Sequence, residues 1–533
     1  MSATATTHLR VESLLAAPAA ATPGALAVRD PRRSVTYAEL LELSQRLASA
    51  LTQLGLRAGD RVAVLARNRV ETVALYFAAA QLDAVLLPIN WRLAPSEVRW
   101  ILAHSGARVL FAEPEFARAQ ADAIDSSLSG IAFDEALEGW STFESLARHE
   151  RIAAQDSAAD PDVAAVQMYT SGTTGRPKGA MLSHRNVVEM TRAWLADMPL
   201  RGVESRFLQV TPLFHVGGML MLMATISSGS ELHLLAEFDP ALALETLARE
   251  RITHTLMVPA MVQWCLTEHA HRPIRFPHLE LMAYGAAPMP VPTLLRAMEV
   301  FECSFLQGYG LTETSGVLLT LTPADHRWST GEAPPARLAS AGRAAACSQV
   351  RVVDAAGLDV ARCSAAAGRA GRGQVGEILA RGSNVMLGYH GDPHATAETF
   401  ADGWFRTGDL AWVDLDGYVY VVDRSKDMLL VGGENVYPRE IENVLLQNEA
   451  VADAAVIGVP HATWGEEPLA FVVLREGALT HGRTLSRHCR GALARFKCPT
   501  RFEFVASLPR NSAGKLQKAL LREPYWRGRE RKV

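Results

Sequence analysis

A run of hydroxyl, glycine and basic residues follows a short apolar segment in the first half of the chain. It spans residues 169–179 and reads Tyr-Thr-Ser-Gly-Thr-Thr-Gly-Arg-Pro-Lys-Gly. Glycines let main-chain N–H groups approach an anion, hydroxyls add donors, and Arg176 or Lys178 can offset negative charge. A flexible surface turn would explain serine and glycine, but not three threonines, two cations and a proline between apolar runs. The segment therefore predicts a loop that binds a nucleotide polyphosphate.

This loop does not have the spacing of a Walker loop. Pro177 stands five places after Gly172, where the second glycine of G-x-x-x-x-G-K-[ST] would be required. The sequence therefore disfavours kinases and P-loop nucleotidases.

A second polar segment, residues 307–314, reads Gln-Gly-Tyr-Gly-Leu-Thr-Glu-Thr. It offers an aromatic face, a hydroxyl and a carboxylate, which could stack a purine, bind a phosphate oxygen and hold Mg²⁺. It is not a dinucleotide-binding fingerprint, because Glu313 occupies the place of the third glycine.

Three further polar segments each have an ordinary alternative. Thr407-Gly408-Asp409 places a carboxylate where it could accept hydrogen bonds from ribose hydroxyls, although aspartate next to glycine also forms simple turns. The pentad at residues 423–427 is dense in charge and lies between two apolar strands, where a solvated turn is the alternative. Lys515 lies on a short polar loop, as many surface lysines do.

Composition indicates a large globular enzyme. The 533 residues are 49% hydrophobic and 21% charged, which is enough for two or three domains with buried cores. The net charge of -4 argues against nucleic-acid binding. Six scattered cysteines with no C-x-x-C pattern indicate neither a disulfide framework nor a zinc site, so we expect the cytoplasm. We find no signal peptide and no apolar span of ~20 residues, and expect no integral membrane association.

The order of elements predicts an α/β protein. Short apolar runs alternate with helical stretches over residues 61–113 and 206–262, as in βαβ units with a mostly parallel sheet. Residues 345–423 contain short strands and turns, and residues 361–373 form a low-complexity loop. The last hundred residues predict an α+β module, with helices at 438–447 and 486–494.

Taken together and in this order, the segments resemble the adenylate-forming superfamily, which comprises acyl- and aryl-CoA synthetases, adenylation domains and firefly-type luciferases. The resemblance extends from about Val35 to Lys518. It implies a large N-terminal domain of two α/β subdomains plus a distorted β-barrel, residues 1–422. A hinge at 423–427 would join it to a small mobile α+β domain, residues 428–533.

The resemblance also implies the site residues for ATP. Asp409 and Arg424 would bind the ribose hydroxyls, and Glu313 would help to hold Mg²⁺. The β- and γ-phosphates would be held by Thr170, Ser171, Gly172, Thr173, Thr174, Gly175 and Lys178. The adenine and the α-phosphate would be bound by Gly285, Ala286, Ala287, Pro288, Tyr309, Gly310 and Thr312.

Lys515 matches the family lysine that bridges the carboxylate substrate and the α-phosphate. Two anions meet when a carboxylate attacks ATP, so a cation must screen their repulsion and stabilise the pentacoordinate phosphorus. In the second step the thiol of CoA must reach the acyl carbon, where a lysine loop would block it. Rotation at the hinge residue Lys426 would remove that loop and bring up Gly432 and Gly433, which permit a narrow thiol channel.

The acyl side is marked by residues 212–218, which resemble the family segment at the pocket entrance and place His215 near the carboxylate. Met219, Met221 and Met223 offer either an adaptable apolar lining or core packing. No carboxylate lies between Leu208 and Met223 to bind a substrate ammonium. An apolar or aromatic carboxylic acid is therefore preferred over a free amino acid.

We therefore expect an AMP-forming acid:CoA ligase that uses ATP, CoA and Mg²⁺ and activates a fatty, alicyclic or aryl acid. One alternative is an adenylation enzyme that loads a separate carrier protein. Another is a non-catalytic acyl-nucleotide binding protein, which retention of Lys515, Glu313 and Asp409 disfavours. The oligomeric state is left open, a homodimer included.

Overall fold

The computed structural model describes residues 9–125, 128–151, 160–170, 177–329, 331–365, 374–432, 434–461, 463–510 and 516–527. They form two compact units. The first takes the described part of residues 1–334, 342–350 and 380–405, and the second that of residues 335–341, 351–379 and 406–533.

The strands, in chain order, are β1 Leu26–Arg29, β2 Ser34–Thr36, β3 Arg61–Leu65, β4 Val85–Pro88, β5 Ala107–Ala112, β6 Ser129–Ala132, β7 Ser141–Thr142, β8 Ala164–Thr170, β9 Lys178–Ser183, β10 Arg206–Gln209, β11 Glu231–Leu234, β12 His254–Met257, β13 Leu281–Gly285 and β14 Ser304–Tyr309. They continue with β15 Leu319–Leu321, β16 Arg343–Ala344, β17 Ser348–Val353, β18 Gly376–Gly382, β19 Gly388–Tyr389, β20 Phe400–Ala401, β21 Trp404–Val413, β22 Val419–Arg424, β23 Leu429–Val431, β24 Glu434–Val436, β25 Val451–His461, β26 Gly465–Leu474 and β27 Arg501–Phe504.

The α-helices are α1 Ser13–Ala21, α2 Tyr37–Gln53, α3 Val70–Gln81, α4 Pro95–Ser105, α5 Pro114–Ala119, α6 Phe143–Ala147, α7 His184–Asp197, α8 Val216–Ser227, α9 Pro240–Arg249, α10 Pro259–His271, α11 Val291–Phe301, α12 Pro393–Thr399, α13 Pro438–Leu445, α14 Gly482–Arg490 and α15 Lys518–Trp526.

Two mostly parallel sheets build the first unit. One has the order β19-β9-β8-β4-β3-β5-β6-β7 and the other β16-β15-β14-β13-β12-β10-β11-β1-β2. Their central strands are short and apolar because both faces are covered; all four residues of β4 are buried, for example. The predicted α/β class with βαβ units is confirmed.

A third sheet has the order β17-β18-β21-β20, with β22 paired to β21, and corresponds to the β-rich segment predicted over residues 345–423. Residues 366–373, which make up most of the low-complexity loop, lie outside the described part of the chain.

The C-terminal part of the second unit is an α+β module with the sheet order β24-β23-β26-β25, to which β27 adds in parallel. Its apolar core includes Leu429, Ile441, Val456 and Leu485. The helix predicted at 438–447 is present as α13, whereas the one predicted at 486–494 was placed too late. The helix α14 ends at Arg490, and Gly491 follows it as the C-cap, so the apolar residues after Gly491 lie outside it.

No helix in the described part of the chain is long and apolar enough to cross a membrane. The boundaries at 423–427 between the N-terminal domain, hinge and C-terminal domain remain a prediction.

Candidate functional site

The predicted phosphate loop connects the two antiparallel strands β8 and β9. Thr170 is the last residue of β8 and pairs with Lys178, the first residue of β9. Residues 171–176, and with them the predicted Ser171, Gly172, Thr173, Thr174 and Gly175, lie outside the described part. The Nζ atom of Lys178 lies 5.2 Å from the centre of the Tyr389 ring, and this cation–π contact orients the lysine side chain.

The carboxylate of Glu313 is held by two hydroxyl groups. The Tyr389 hydroxyl donates to its Oε1 atom at 2.9 Å, and the Thr170 hydroxyl donates to the same atom at 3.4 Å. Glu313 is only 8% exposed and lies on a short 3₁₀ helix of one turn, Thr312–Thr314. The predicted phosphate residue Thr170 of β8 and the predicted metal ligand Glu313 are therefore brought together in the first unit, and Tyr389 of β19 joins them.

A buried asparagine supports the turn that carries Glu313. The Nδ2 atom of Asn384 donates to the carbonyls of Thr314 and Val317, at 3.2 and 2.9 Å. Ser315, which follows the turn, has a φ of 55° and donates its hydroxyl to the Asn384 carbonyl at 2.8 Å. These contacts hold a left-handed conformation that a serine would otherwise adopt at a cost.

The predicted adenine segment begins where β13 ends. Gly285 pairs with Gly308 of β14, and a Cβ atom on Gly285 would lie 2.2 Å from the Gly308 carbonyl oxygen. Ala286 has a φ of 64°, a conformation that is unfavourable for a non-glycine residue. Tyr309 is the last residue of β14, so both strand ends that the sequence assigned to the nucleotide lie side by side. A strained main chain such as that of Ala286 is typical of ligand sites.

His215 directly precedes α8 and lies against Phe214, with 4.6 Å between the ring centres. Burial, aided by the positive charge of Arg92, lowers the pKa of His215 to about 4, so the imidazole is neutral at pH 7. The side chains of Met219, Met221 and Met223 are at most 1% exposed. In this structure these methionines pack in the core.

In the second unit, the two predicted ribose residues form an ion pair. Asp409 of β21 pairs with Arg424 of β22 in the sheet, and the Arg424 Nε atom lies 2.9 Å from the Asp409 Oδ1 atom. The Thr407 hydroxyl accepts from the Asp409 N–H and donates to the Ile378 carbonyl. These two hydrogen bonds fix the main chain that leads to Asp409. Gly408 between them has a φ of 72°.

The predicted hinge residue Lys426 lies on the 3₁₀ turn Ser425–Asp427. Burial lowers its pKa, and the neighbouring Arg424 acts in the same direction.

Gly432 of the predicted thiol channel has a φ of 61° and lies under an exposed tryptophan. Its N–H donates to the Trp464 carbonyl at 2.8 Å, and a Cβ atom on Gly432 would lie 2.8 Å from the Trp464 ring. Trp464 is 56% exposed. Gly433 and the catalytic candidate Lys515 lie outside the described residues.

Tyr389 and Asn384 were not identified from the sequence as site residues. Tyr389 is 76 positions away from Glu313 along the chain, and Asn384 is 70 positions from Thr314. The sequence signal available for Tyr389 was its position directly after Gly388, which has a φ of 140° in the structure.

The residues present fit a magnesium ion bound with nucleotide phosphates. Among the described residues, no group of three or more His, Cys, Asp or Glu side chains is placed to hold a metal by itself. Mg²⁺ commonly binds one or two carboxylates together with substrate phosphates. Glu313, oriented by two hydroxyls on one oxygen, meets that requirement.

The chain belongs to the family of AMP-binding enzymes. The AMP-binding enzyme model matches residues 15–390, and the model for the C-terminal domain of AMP-binding enzymes matches residues 440–515. The resemblance to the adenylate-forming superfamily is thereby confirmed.

Several curated relatives cover almost the whole chain. Indoleacetate–CoA ligase of Aromatoleum aromaticum is 37% identical over 510 residues, covering 94% of this chain and 95% of that protein. Fatty acid–[acyl-carrier-protein] ligase ScoC of Streptomyces coeruleorubidus is also 37% identical, over 94% of this chain and 93% of its own. The solved structure of O-succinylbenzoate coenzyme A synthetase from Bacillus subtilis, in complex with ATP and magnesium ion, has a TM-score of 0.80 and 29% identity. It covers 94% of this chain and 98% of that chain.

Proposed function

We propose that this protein is an AMP-forming acid:CoA ligase for an apolar carboxylic acid. The acid carboxylate attacks the α-phosphorus of ATP, giving an acyl-adenylate and pyrophosphate; the thiol of CoA then attacks the acyl carbon, and AMP leaves. The expectation of an acid–thiol ligase is confirmed by the class of the relatives, among them indoleacetate–CoA ligase. Glu313, fixed by Tyr389 and Thr170 next to the loop that ends at Lys178, is the observation that carries the proposal.

The first half-reaction needs positive charge around the phosphates. Glu313 would bind Mg²⁺, which when bound neutralises part of the phosphate charge, and Lys178 would face the same anions. Asp409, held by Arg424 at 2.9 Å, would accept hydrogen bonds from the ribose hydroxyls. Ala286 and Tyr309, at the ends of neighbouring strands, would place the adenine.

Lys515 is the proposed catalytic cation of adenylation. If it acts as one preorganised electrostatic group, Lys515→Ala should cost about 3 to 4 kcal/mol of transition-state stabilisation, which is roughly a factor of 10² to 10³. The variant should still convert supplied acyl-adenylate to thioester, because that step does not need the lysine. Equal loss of both half-reactions would contradict the role, and Lys515→Arg, which retains the charge, should be less impaired in adenylation.

The acid is proposed to be uncharged beyond its carboxylate. No acidic side chain lies between Leu208 and Met223, and the imidazole of His215 is neutral at pH 7. A neutral imidazole can hydrogen-bond the carboxylate or the adenylate carbonyl, but it does not offer a fixed counter-ion. Fatty, alicyclic and aryl acids all satisfy these requirements.

Acid-dependent pyrophosphate release tests the proposal directly. The purified protein is supplied with MgATP and a panel of carboxylic acids graded by length and aromaticity, and pyrophosphate and AMP are measured with and without CoA. We expect pyrophosphate only when an acid is present, and AMP with acyl-CoA when CoA is added. Nucleotide binding without pyrophosphate release from any acid would instead support a non-catalytic acyl-nucleotide binding protein.

The 37% sequence identity to ScoC, a fatty acid–[acyl-carrier-protein] ligase, supports a second candidate function, the loading of a carrier protein. The acceptor decides between the two. Free CoA and a phosphopantetheinyl carrier protein are offered at equal concentration after the acyl-adenylate has formed, and the thioesters are separated. Thioester on CoA supports the ligase proposed first, and thioester on the carrier alone supports the second.

A further inference from the structure

A buried asparagine of the first unit holds the main chain that leads to His215. Asn68 lies two residues before α3 and is 5% exposed. Its Oδ1 atom accepts the Leu213 N–H at 2.8 Å, and its Nδ2 atom donates to the carbonyls of Thr211 and Leu235, at 3.2 and 3.0 Å. One side chain thus ties residues 211–213 to the residue that follows β11.

The chemistry of these partners fixes the orientation of the Asn68 amide. An N–H group needs an acceptor and two carbonyl groups need donors, so a flipped amide would place its oxygen against both carbonyls. Thr211, Leu213 and Leu235 are at most 5% exposed. Water therefore does not readily replace Asn68 as the partner of their main-chain groups.

A tyrosine of α3 holds the same segment from a second point. The hydroxyl of Tyr76 donates to the Leu213 carbonyl at 2.8 Å, and Tyr76 is only 2% exposed. The Gln209 Nε2 atom, at the end of β10, donates to the Thr211 carbonyl at 2.7 Å. Both main-chain groups of Leu213 are consequently bound, one by Asn68 and the other by Tyr76.

His215 belongs to the turn that these side chains hold. Its N–H donates to the Pro212 carbonyl at 3.1 Å. A Cβ atom on Gly218 would lie only 2.1 Å from the same carbonyl oxygen, so the absence of a side chain lets the first turn of α8 approach the held segment. The main chain of His215 is therefore fixed on both sides, by residues 211–213 and by α8.

We propose that Asn68 and Tyr76 are positioning residues for the carboxylic acid. They fix both main-chain groups of Leu213 and thereby set the place at which the His215 imidazole meets the acid carboxylate. The consequence for the acid rests on the proposed function. The structural part, the fixing of residues 211–215, is independent of activity.

Tyr76→Phe in the full-length protein, compared with Tyr37→Phe, is the central test. Tyr37 is also buried, and its hydroxyl donates to the carbonyls of Ser230 and Ile226 at 2.7 and 3.1 Å, near the other end of α8. Each substitution removes one buried hydroxyl and leaves a ring of the same shape. We therefore expect both variants to fold and to lose a similar amount of stability.

Hydrogen–deuterium exchange is the first readout and needs no substrate. The amides of residues 211–218 should exchange about fivefold to tenfold faster in Tyr76→Phe, because local opening of this segment no longer has to break the bond to Leu213. In Tyr37→Phe the same amides should exchange as in the wild type. Wild-type exchange over 211–218 in Tyr76→Phe, or equal acceleration in both variants, would overturn the fixing.

The kinetics of acid-dependent pyrophosphate release are the second readout, with the acid of the panel that gives the fastest release. In Tyr76→Phe we expect the KM for the acid to rise about fivefold to tenfold and the KM for MgATP to change less than twofold. Tyr37→Phe should keep both values. An equal rise of both KM values in Tyr76→Phe would indicate a merely structural role and overturn the positioning.

Asn68→Asp tests the other side chain. The aspartate can still accept the Leu213 N–H, but it places an oxygen against the carbonyls of Thr211 and Leu235, so the segment must shift. Misplacement of a group at the reacting centre by about 1 Å can cost 10²-fold, and kcat/KM for the acid should fall by roughly that factor, with the KM for MgATP nearly unchanged. Wild-type kinetics in Asn68→Asp would overturn its role.

The two readouts also separate this inference from the proposed function. If the wild type releases no pyrophosphate with any acid of the panel, the proposed function fails, and with it the consequence for the acid. The exchange comparison of Tyr76→Phe with Tyr37→Phe still decides whether the segment before His215 is fixed from α3.

Discussion

The hydroxyl of Tyr389 donates a 2.9 Å hydrogen bond to Oε1 of Glu313, and the ring of the same tyrosine lies 5.2 Å from Nζ of Lys178. One side chain thus contacts the proposed metal ligand and the proposed phosphate cation. Removal of the hydroxyl should release the carboxylate while the ring remains beneath the lysine.

Tyr389→Phe should therefore weaken the use of MgATP without unfolding the protein. A hydrogen bond to a charged group contributes about 1.5 to 3 kcal/mol, so kcat/KM for MgATP should fall roughly 10-fold to 10²-fold. The Mg²⁺ concentration at half-maximal pyrophosphate release should rise, because the carboxylate is no longer oriented. Direct titration with Mn²⁺ in the presence of a non-hydrolysable ATP analogue, followed by electron paramagnetic resonance, measures the metal affinity separately.

Tyr420→Phe is the matched control for this substitution. Tyr420 of β22 also donates to a carboxylate, Oδ2 of Asp414 in the turn before that strand, at 3.1 Å, but neither residue is a proposed site residue. We expect a small loss of stability and an unchanged Mg²⁺ requirement. An unchanged Mg²⁺ requirement in Tyr389→Phe as well would show that the tyrosine does not orient the metal ligand.

Asp409→Asn should reduce nucleotide affinity through the ribose. The substitution removes the charge that Arg424 holds at 2.9 Å and replaces one acceptor oxygen by a donor. Loss of charge-assisted hydrogen bonds predicts an AMP dissociation constant that is roughly 10-fold to 10²-fold higher, measured by calorimetry. Asp359→Asn, in the exposed ion pair with Arg351, should leave AMP binding unchanged. The ribose role would be excluded if the wild type and Asp409→Asn preferred ATP over 2′,3′-dideoxy-ATP by the same factor.

Buried histidines should make the protein less stable as the pH falls. His254 of β12 is 1% exposed, and burial, aided by Arg201, lowers its pKa to about 4 despite the opposing charge of Glu280. Between the unfolded pKa near 6.5 and about 4, only the unfolded chain binds this proton, so the free energy of unfolding falls by about 1.4 kcal/mol per pH unit for this group. Urea unfolding at pH 7, 6 and 5 measures the slope.

His254→Gln should reduce that slope while retaining a polar group near the Thr253 hydroxyl, which now lies 2.8 Å from Nδ1. His394→Gln is the control, because His394 has an 84% exposed side chain. The linkage would be refuted by a slope that His254→Gln leaves equal to that of the control.

The parallel sheets could be predicted because short apolar runs such as those of β3 and β4 indicate buried strands without any information from the rest of the chain. The phosphate, adenine and ribose segments could be recognised because glycine, hydroxyl and charged residues are combined in short stretches. The pairing of Asp409 with Arg424 could not be read from the sequence, since it depends on a register that contains an irregularity between Leu410 and Ala411. A pattern of residues does not reveal such a shift.

Contacts over long sequence distances were also missed. Tyr389 reaches Glu313 because β19 adds to β9 at the edge of a sheet, and no local pattern reports that neighbour. Lys518 was similarly taken only as the end of the resemblance. Its Nζ atom lies 2.8 Å from Oε1 of Glu442 on α13 and its side chain is only 11% exposed, but burial of a lysine by another helix has no signal in its own segment. The predicted position of α14 was wrong because the apolar residues Ala492 and Leu493, which follow Gly491, were taken as part of the helix.

Gly432→Ala should impair thioester formation more than adenylation. Its φ of 61° disfavours a side chain, and the new Cβ atom would lie 2.8 Å from the Trp464 ring, so the ring must shift. We expect conversion of supplied acyl-adenylate and CoA to fall by about tenfold, as for roughly 1.4 kcal/mol, with pyrophosphate release nearly unchanged. Gly477→Ala separates the two causes, because Gly477 also has a positive φ, 73°, in the same module, but nothing lies within 4 Å of its Cβ position. That control should lose some stability and retain both half-reactions. A Gly432→Ala variant that behaves like Gly477→Ala would show that contact with Trp464 has no part in the passage of the thiol.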